Sequence, residues 1–159
     1  MSFSFHLKTP LGPMQAELSE HALAKLSFSV TKKKATSVPG VYQALAAEIE
    51  GQIIRYFDGI LKEFSLPLEP AGTDFEKRTW SELERIPWGT TTSYGEIAKR
   101  LGDPNLSRAV GRANGANPIA ICIPCHRVIG ASGDLTGYAG GLDKKKALLD
   151  LESPQQSLF

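Results

Sequence analysis

A thiol, an imidazole and a guanidinium stand side by side at Cys125, His126 and Arg127, inside an apolar run that begins at Ile119 and resumes at Val128-Ile129. A thiol is a poor nucleophile until it ionises. A neighbouring cation lowers its pKa, so reactivity is expected at Cys125 before Cys122. His126 is the natural base for that thiol. Such a base works best when a third group orients its other ring nitrogen. The late segment 143–152 offers carboxylates, Glu152 among them, and spacing alone does not choose between them. Other chemistry stays open on these residues. Cys122-Ile123-Pro124-Cys125 matches a two-cysteine redox motif, although such motifs typically open a helix after a strand, and here a β-branched apolar run continues through the second cysteine. A zinc half-site would need two further ligands, and His6 and His21 lie far along the chain. Free cysteines are also commonly just small buried hydrophobes, which is the reading preferred for Cys122.

Elements on either side must hold these groups. Upstream, residues 74–86 read as a helix by Phe75, Thr79 and Leu83, ended at Pro87-Trp88-Gly89. A second helix fits 93–101, with Ser93 as N-cap and Glu96 three residues on in a capping-box pattern, and Gly102-Asp103-Pro104-Asn105 stops it. Ser107 is placed to cap a third helix, whose Ala109, Val110 and Ala113 face inward while Arg108 and Arg112 share one side. Helix, short glycine-containing turn, helix with a basic face is a helix-turn-helix pattern. Lys99, Arg100, Arg108, Arg112 and Arg127 cluster in this part of the chain, as a nucleic-acid partner would require.

The first third reads differently. Phe3, Phe5 and Leu7 alternate with polar residues, Pro10-Leu11-Gly12-Pro13 makes a turn, and alternation returns at Ala22, Ala24, Leu26, Phe28 and Val30. A small antiparallel sheet fits. After the solvated run Lys32-Lys33-Lys34, the residues Val41, Leu45, Ile49, Ile53, Phe57 and Ile60 predict one long helix covering that sheet, although Gly51 weakens the pattern. Pro67, Pro70 and Gly72 mark a linker, so a boundary is expected near residue 70, dividing a 1–70 domain from a 71–153 domain and leaving a 154–159 tail.

With 159 residues, 42% hydrophobic and 22% charged, the chain suits one folded domain or two small ones. A net charge of +1 decides nothing about DNA. No apolar run approaches the roughly 18 residues that span a bilayer. The start lacks a basic stretch followed by an apolar one, and two unpaired cysteines suit a reducing compartment, so a cytoplasmic protein without a membrane partner is expected.

The run Pro124-Cys125-His126-Arg127-Val128-Ile129-Gly130, preceded by Asn117-Pro118 and followed by Thr136-Gly137-Tyr138-Ala139-Gly140-Gly141, resembles the active site of the O6-alkylguanine-DNA alkyltransferases. Likeness extends through Thr92-Ser93-Tyr94-Gly95-Glu96-Ile97-Ala98 and Arg108-Ala109-Val110-Gly111, and so covers most of residues 75–152; the first 70 fit the family's variable N-terminal domain more loosely. The resemblance implies an α/β (α+β) fold, with a ribonuclease H-like sheet and helix first and a winged-helix-like helix-turn-helix domain carrying the cysteine second.

It implies also an irreversible, single-use transfer of the alkyl group from O6 of guanine in double-stranded DNA to Cys125, with O4 of thymine as a further candidate substrate. Base flipping is demanded by that chemistry, since a stacked base blocks in-line approach to the alkyl carbon. By the same resemblance His126 ionises Cys125 through a water and Glu152 orients His126. Tyr94 pushes on the phosphate and helps protonate the departing guanine, while Arg108 fills the gap left by the flipped base. Ser93 and Arg112 join them on the DNA side, in the minor groove. Asn117 is the hinge between the recognition helix and the active-site strand. With Pro124, Val128, Tyr138, Ala139 and Gly140 it forms the substrate pocket, whose lid is the 137–141 loop. Ala139 departs from the serine often found there. The chain lacks the cysteines with which some relatives bind zinc in the N-terminal domain, so no metal and no cofactor is expected, and a monomer is. Two rival classes remain: a non-enzymatic DNA-binding regulator or alkylated-DNA sensor, against which the presence of Cys125 counts, and a turning-over Cys-His hydrolase or redox enzyme.

Ser153-Pro154 ends the last helix, and Gln155-Gln156-Ser157-Leu158-Phe159 follows. This tail resembles the short peptide with which bacterial replication and repair proteins dock on the sliding clamp, through Gln155, Ser157, Leu158 and Phe159. A tail that folds back on its own domain is the alternative.

Overall fold

The computed structural model describes residues 2–29 and 37–153, and the chain divides into two compact units, Met1–Ala71 and Gly72–Phe159. The expectations for Val30, for Lys32-Lys33-Lys34 and for Gln155, Ser157, Leu158 and Phe159 lie outside the described residues.

In the first unit, alternating apolar residues build β1 (Phe3–Thr9), β2 (Gly12–Leu18) and β3 (Leu23–Phe28), paired antiparallel in that order. Phe5 faces Ala16 and Ala16 faces Leu26, which stacks one row of buried side chains across the sheet. The strict alternation expected from Ala22 onward breaks. A register irregularity at Glu17/Leu18 inserts a residue in β3, so that Leu23 and Leu26, three apart, are both buried.

Helix α1 (Gly40–Phe57) packs against β1, with Tyr42 stacked on Phe3 at 5.2 Å between ring centroids. Its buried stripe is Tyr42, Ala46, Ile49, Ile53 and Tyr56, not the predicted Val41, Leu45, Ile49, Ile53, Phe57 and Ile60; Val41 is 54% exposed and Ile60 70%. Steps of four residues overshoot a helical turn by about 40° each, so an unbroken i+4 series walks around the cylinder, whereas alternating steps of four and three keep to one side. Residues 66–69 are more than a linker. Leu23 N–H donates to the Pro67 carbonyl and Glu69 N–H to the Leu23 carbonyl, both at 2.9 Å, so Leu68 adds a bridge to the edge of β3.

The second unit begins at α2 (Asp74–Leu83), whose N-cap Thr73 accepts from Glu76 N–H while the Glu76 carboxylate accepts from Thr73 N–H, a full capping box. A side chain at Gly72 would sit 2.5 Å from the Trp80 ring, so only glycine lets the chain enter the helix this way. Trp80 is buried, and its indole N–H donates to the Ala113 carbonyl at 2.8 Å. That bond ties α2 to α4 (Ser107–Gly115).

Helix α3 (Tyr94–Arg100) and α4 form the helix-turn-helix, joined by a 3-10 turn at Pro104–Leu106. Ser93 caps α3 by accepting from Glu96 N–H at 3.2 Å. Ser107 does not cap α4. Asp103 instead caps the 3-10 turn, which runs directly into α4, and the Ser107 hydroxyl donates back to the Pro104 carbonyl. Short strands β4 (Thr92–Ser93) and β5 (Val128–Ile129) pair in parallel, and α5 (Leu142–Glu152) closes the unit. No helix is long and apolar enough to cross a membrane among the described residues.

Candidate active site

Cys125 opens a 3-10 turn, Cys125–Arg127, that delivers the chain into β5. The β-branched run before it is not the strand that its composition suggests. Hydrogen bonds from Ile123 N–H to the Ile119 carbonyl at 3.0 Å and from Cys122 N–H to the Ala120 carbonyl at 2.8 Å wind it into tight turns. Ile121 takes φ 72°, a left-handed conformation that is costly for a β-branched residue. Pro124, at φ −80° and ψ 64°, centres an inverse γ-turn closed by Cys125 N–H on the Ile123 carbonyl at 2.8 Å.

Asn117 holds these turns together. Its amide donates to the Ile123 carbonyl at 2.7 Å and accepts from Ile119 N–H at 3.0 Å, so it joins α4 to a turn rather than to a strand. Asn114, one helical turn earlier and buried, donates to the Cys125 carbonyl at 3.4 Å.

His126 is completely buried, and its Nε2 lies 2.7 Å from Glu152 Oε2. Burial alone would raise the Glu152 carboxyl, but hydrogen bonds from His126 and Arg127 hold it down at about 2. A carboxylate only accepts, so Nε2 carries the ring proton and Nδ1 keeps its lone pair. Nδ1 is buried and has no protein partner. Burial also lowers the His126 pKa, outweighing the nearby Glu152. The ring is therefore neutral at pH 7, and Nδ1 is able to accept a proton.

Arg127 does not belong to a DNA-facing basic cluster. It is buried, with Nε 2.7 Å from Glu152 Oε1, Nη2 3.0 Å from Oε2 and Nη1 donating to the Ile86 carbonyl at 2.6 Å. Lys99, Arg100, Arg108 and Arg112 stay exposed on α3 and α4. Nor is Cys125 a thiol lowered by a neighbouring cation. Burial pushes it up, and the Asn117 hydrogen bond and the Lys145 charge pull it down without prevailing. Ionising it needs a base. Cys122 is also pushed up, by burial and then by Glu84, which leaves it inert.

Lys145 was not foreseen. It is fully buried on α5, where its Nζ donates to the Val128 carbonyl at 2.7 Å and the Thr136 carbonyl at 2.9 Å. Burial lowers its pKa and the nearby Cys125 raises it. One signal was available: Lys145, Leu148 and Glu152 fall at i, i+3 and i+7, a single helical stripe, and all three are buried.

Tyr94 enters α3 directly from β4, whose pairing with β5 sets it near the acceptor turn, and its hydroxyl shares a hydrogen bond with Thr136 Oγ1. Pro124 and Val128 are buried, Tyr138 and Gly140 half-buried, and Ala139 exposed. The Tyr138 hydroxyl is buried without a protein partner. No group of three or more His, Cys, Asp or Glu side chains that could hold a metal ion occurs among the described residues.

Residues 74–154 match the family model of the 6-O-methylguanine DNA methyltransferase DNA binding domain. The chain is 49% identical over 148 residues to the methylated-DNA–protein-cysteine methyltransferase of Methanosarcina acetivorans, covering 91% of this chain and 94% of that one. Against the protein of the same name from Mycobacterium bovis it is 44% identical, covering 92% and 89%. The crystal structure of Mycobacterium tuberculosis OGT in complex with DNA superimposes with a TM-score of 0.83 at 44% identity, covering 98% of each chain.

Proposed function

Because the chain belongs to the 6-O-methylguanine DNA methyltransferase family, we propose that it repairs DNA by moving the alkyl group from O6 of guanine to Cys125, once per molecule. The observation that carries this reading is the buried pair of His126 Nε2 and Glu152 Oε2, 2.7 Å apart, with the free Nδ1 next in sequence to a protonated nucleophile. His126 Nδ1 takes the thiol proton through a water. The thiolate attacks the alkyl carbon, an S–C bond forms, and the C–O bond breaks with its electron pair going to O6. Tyr94 supplies a proton to the departing guanine. The resulting imidazolium is stabilised by Glu152, and Lys145 stabilises the thiolate before attack. A thioether has no good leaving group, so no water regenerates the cysteine.

On the DNA side, Arg108 fills the gap left by the flipped base, while Ser93, Tyr94 and Arg112 hold the backbone. Asn117, Pro124, Val128, Tyr138, Ala139 and Gly140 line the guanine pocket. Residues 71–153 carry both DNA binding and alkyl acceptance, residues 1–70 form a separate sheet-and-helix domain, and the protein acts as a cytoplasmic monomer. Intact mass after incubation with O6-methylguanine duplex tests the central claim. One methyl on the Cys125 peptide is expected. No adduct on the wild-type protein would overturn it and favour a non-enzymatic sensor or a turning-over hydrolase.

The tail is assigned to the sliding clamp through Gln155, Ser157, Leu158 and Phe159, on the strength of its sequence. Deleting the last five residues should abolish clamp binding; equal binding with and without them, or none by the full chain, would overturn this.

A further inference from the structure

Thr136, in the loop between β5 and α5, is used by no step above, yet it touches two groups of the site at once. Its hydroxyl shares a hydrogen bond with the Tyr94 phenol, and its carbonyl accepts from Lys145 Nζ at 2.9 Å. The loop is shaped to bring it there. Gly130 N–H donates to the Asp134 carbonyl at 2.8 Å and Gly133 N–H to the Gly130 carbonyl at 2.9 Å; a side chain at Gly130 would press on that Asp134 carbonyl at 3.3 Å and would reach the Thr136 methyl at an ordinary contact distance of 3.7 Å.

The Tyr94 ring lies beside Gly111 of α4, where an added Cβ would meet its edge at 3.9 Å, an ordinary contact distance. Ring packing does not set the phenolic hydrogen, which turns about the C–O bond. A partner that both donates and accepts can set it. When Thr136 donates to the phenol oxygen, the phenol's own hydrogen is free to point away toward an acceptor. Lys145 meanwhile fixes the Thr136 backbone, and its charge acts on Cys125. One loop residue thus spans the acceptor side and the DNA-facing side.

We propose that Thr136 is a positioning residue for Tyr94: held at its carbonyl by Lys145, it directs the phenol hydrogen that Tyr94 uses on the guanine, an inference that rests on the role proposed for Tyr94. The test is single-turnover transfer from O6-methylguanine duplex by wild type, T136V, T136S, Y94F and Y94F/T136V, with a urea midpoint for each to establish that it is folded. T136V keeps the shape and loses the hydroxyl, and it should transfer about five- to tenfold more slowly, the loss of one good hydrogen bond. T136S should recover most of that rate, and T136V should add nothing in the Y94F background. Wild-type rates in T136V, no recovery in T136S, or the same slowing by T136V with and without the Tyr94 hydroxyl would each overturn the inference while leaving Tyr94 its role. A Y94F protein as fast as wild type would overturn both.

Discussion

Arg127 grips both oxygens of Glu152, with Nε 2.7 Å from Oε1 and Nη2 3.0 Å from Oε2, and the same carboxylate takes the His126 ring at 2.7 Å. One buried anion therefore serves a structural cation and a base together. Arg127 looked like part of a DNA-binding cluster in the sequence, but its position next to the base makes it the counter-charge that keeps Glu152 ionised.

Removing Arg127 should cost the fold heavily. In Arg127→Met the carboxylate is left buried without its main counter-ion, and the Ile86 carbonyl loses its donor. Breaking one side of a buried ion pair typically costs about 3–5 kcal/mol, so denaturant titration should show a loss of that order. Arg127→Lys keeps the charge without the fork and should fall between. A loss below about 1 kcal/mol in Arg127→Met would mean the pair is not holding the fold.

Glu152 makes stability depend on acid in a definite direction. Its folded pKa, about 2, lies below the ordinary 4.5, so its contribution is present above 4.5 and is lost as pH falls through about 2. The urea midpoint of the wild type should therefore drop over that interval. Glu152→Gln should start less stable at neutral pH and lose less across the same interval. Parallel pH profiles for the two proteins would contradict this.

His126 should matter through its base rather than its bulk. His126→Gln retains a hydrogen-bonding side chain of similar reach and should slow transfer at pH 7 about 10²-fold or more. Its residual rate should rise with pH as hydroxide replaces the missing base, because the Cys125 thiol is pushed up by burial and stays protonated at neutral pH. In the wild type the rate should fall only on acidification below the ordinary histidine value of 6.5, since burial lowers this ring's pKa. A wild-type rate that already declines above pH 7 would rule out a neutral ring.

Lys145→Met should raise the pH at which Cys125 ionises, because the buried charge that favours the thiolate is gone. Iodoacetamide labelling of the Cys125 peptide against pH reads this directly. The titration should move to higher pH, and repair should slow by about tenfold per pKa unit moved. An unmoved labelling profile would leave Lys145 as a purely structural clamp on Val128 and Thr136.

Much of the site was legible because short-range rules govern it. Ser93 caps α3 and the basic residues of α3 and α4 are exposed, since capping chemistry and helical spacing act within a few residues. Cys125 and His126 are neighbours in the chain and could be read the same way, whereas Glu152, 26 residues from His126, stood only as one of several carboxylates until the family resemblance singled it out. What stayed hidden was decided at longer range. Arg127 turned inward because Glu152 and the Ile86 carbonyl meet it there, 25 and 41 residues away. The run from Ile119 to Cys125 has the composition of a strand but finds no partner strand among the described residues, and Asn117 ties the Ile119 N–H and the Ile123 carbonyl into turns instead. Lys145 sat within a run of three lysines, a pattern that ordinarily reads as solvated, and the buried stripe it shares with Leu148 and Glu152 appears only when α5 is drawn as a cylinder. In α1 the error was one of phase.

The left-handed backbone at Ile121 has a bearing on redesign. Glycine or asparagine would relax that dihedral, and a sequence optimised for local backbone comfort would drift toward one of them. Ile121 is 1% exposed, however, so either replacement empties or polarises the interior directly beneath the nucleophile's turn. The chain resolves the conflict in favour of the filled interior. An engineer seeking a longer-lived reagent should therefore leave position 121 alone and look for stability at other positions.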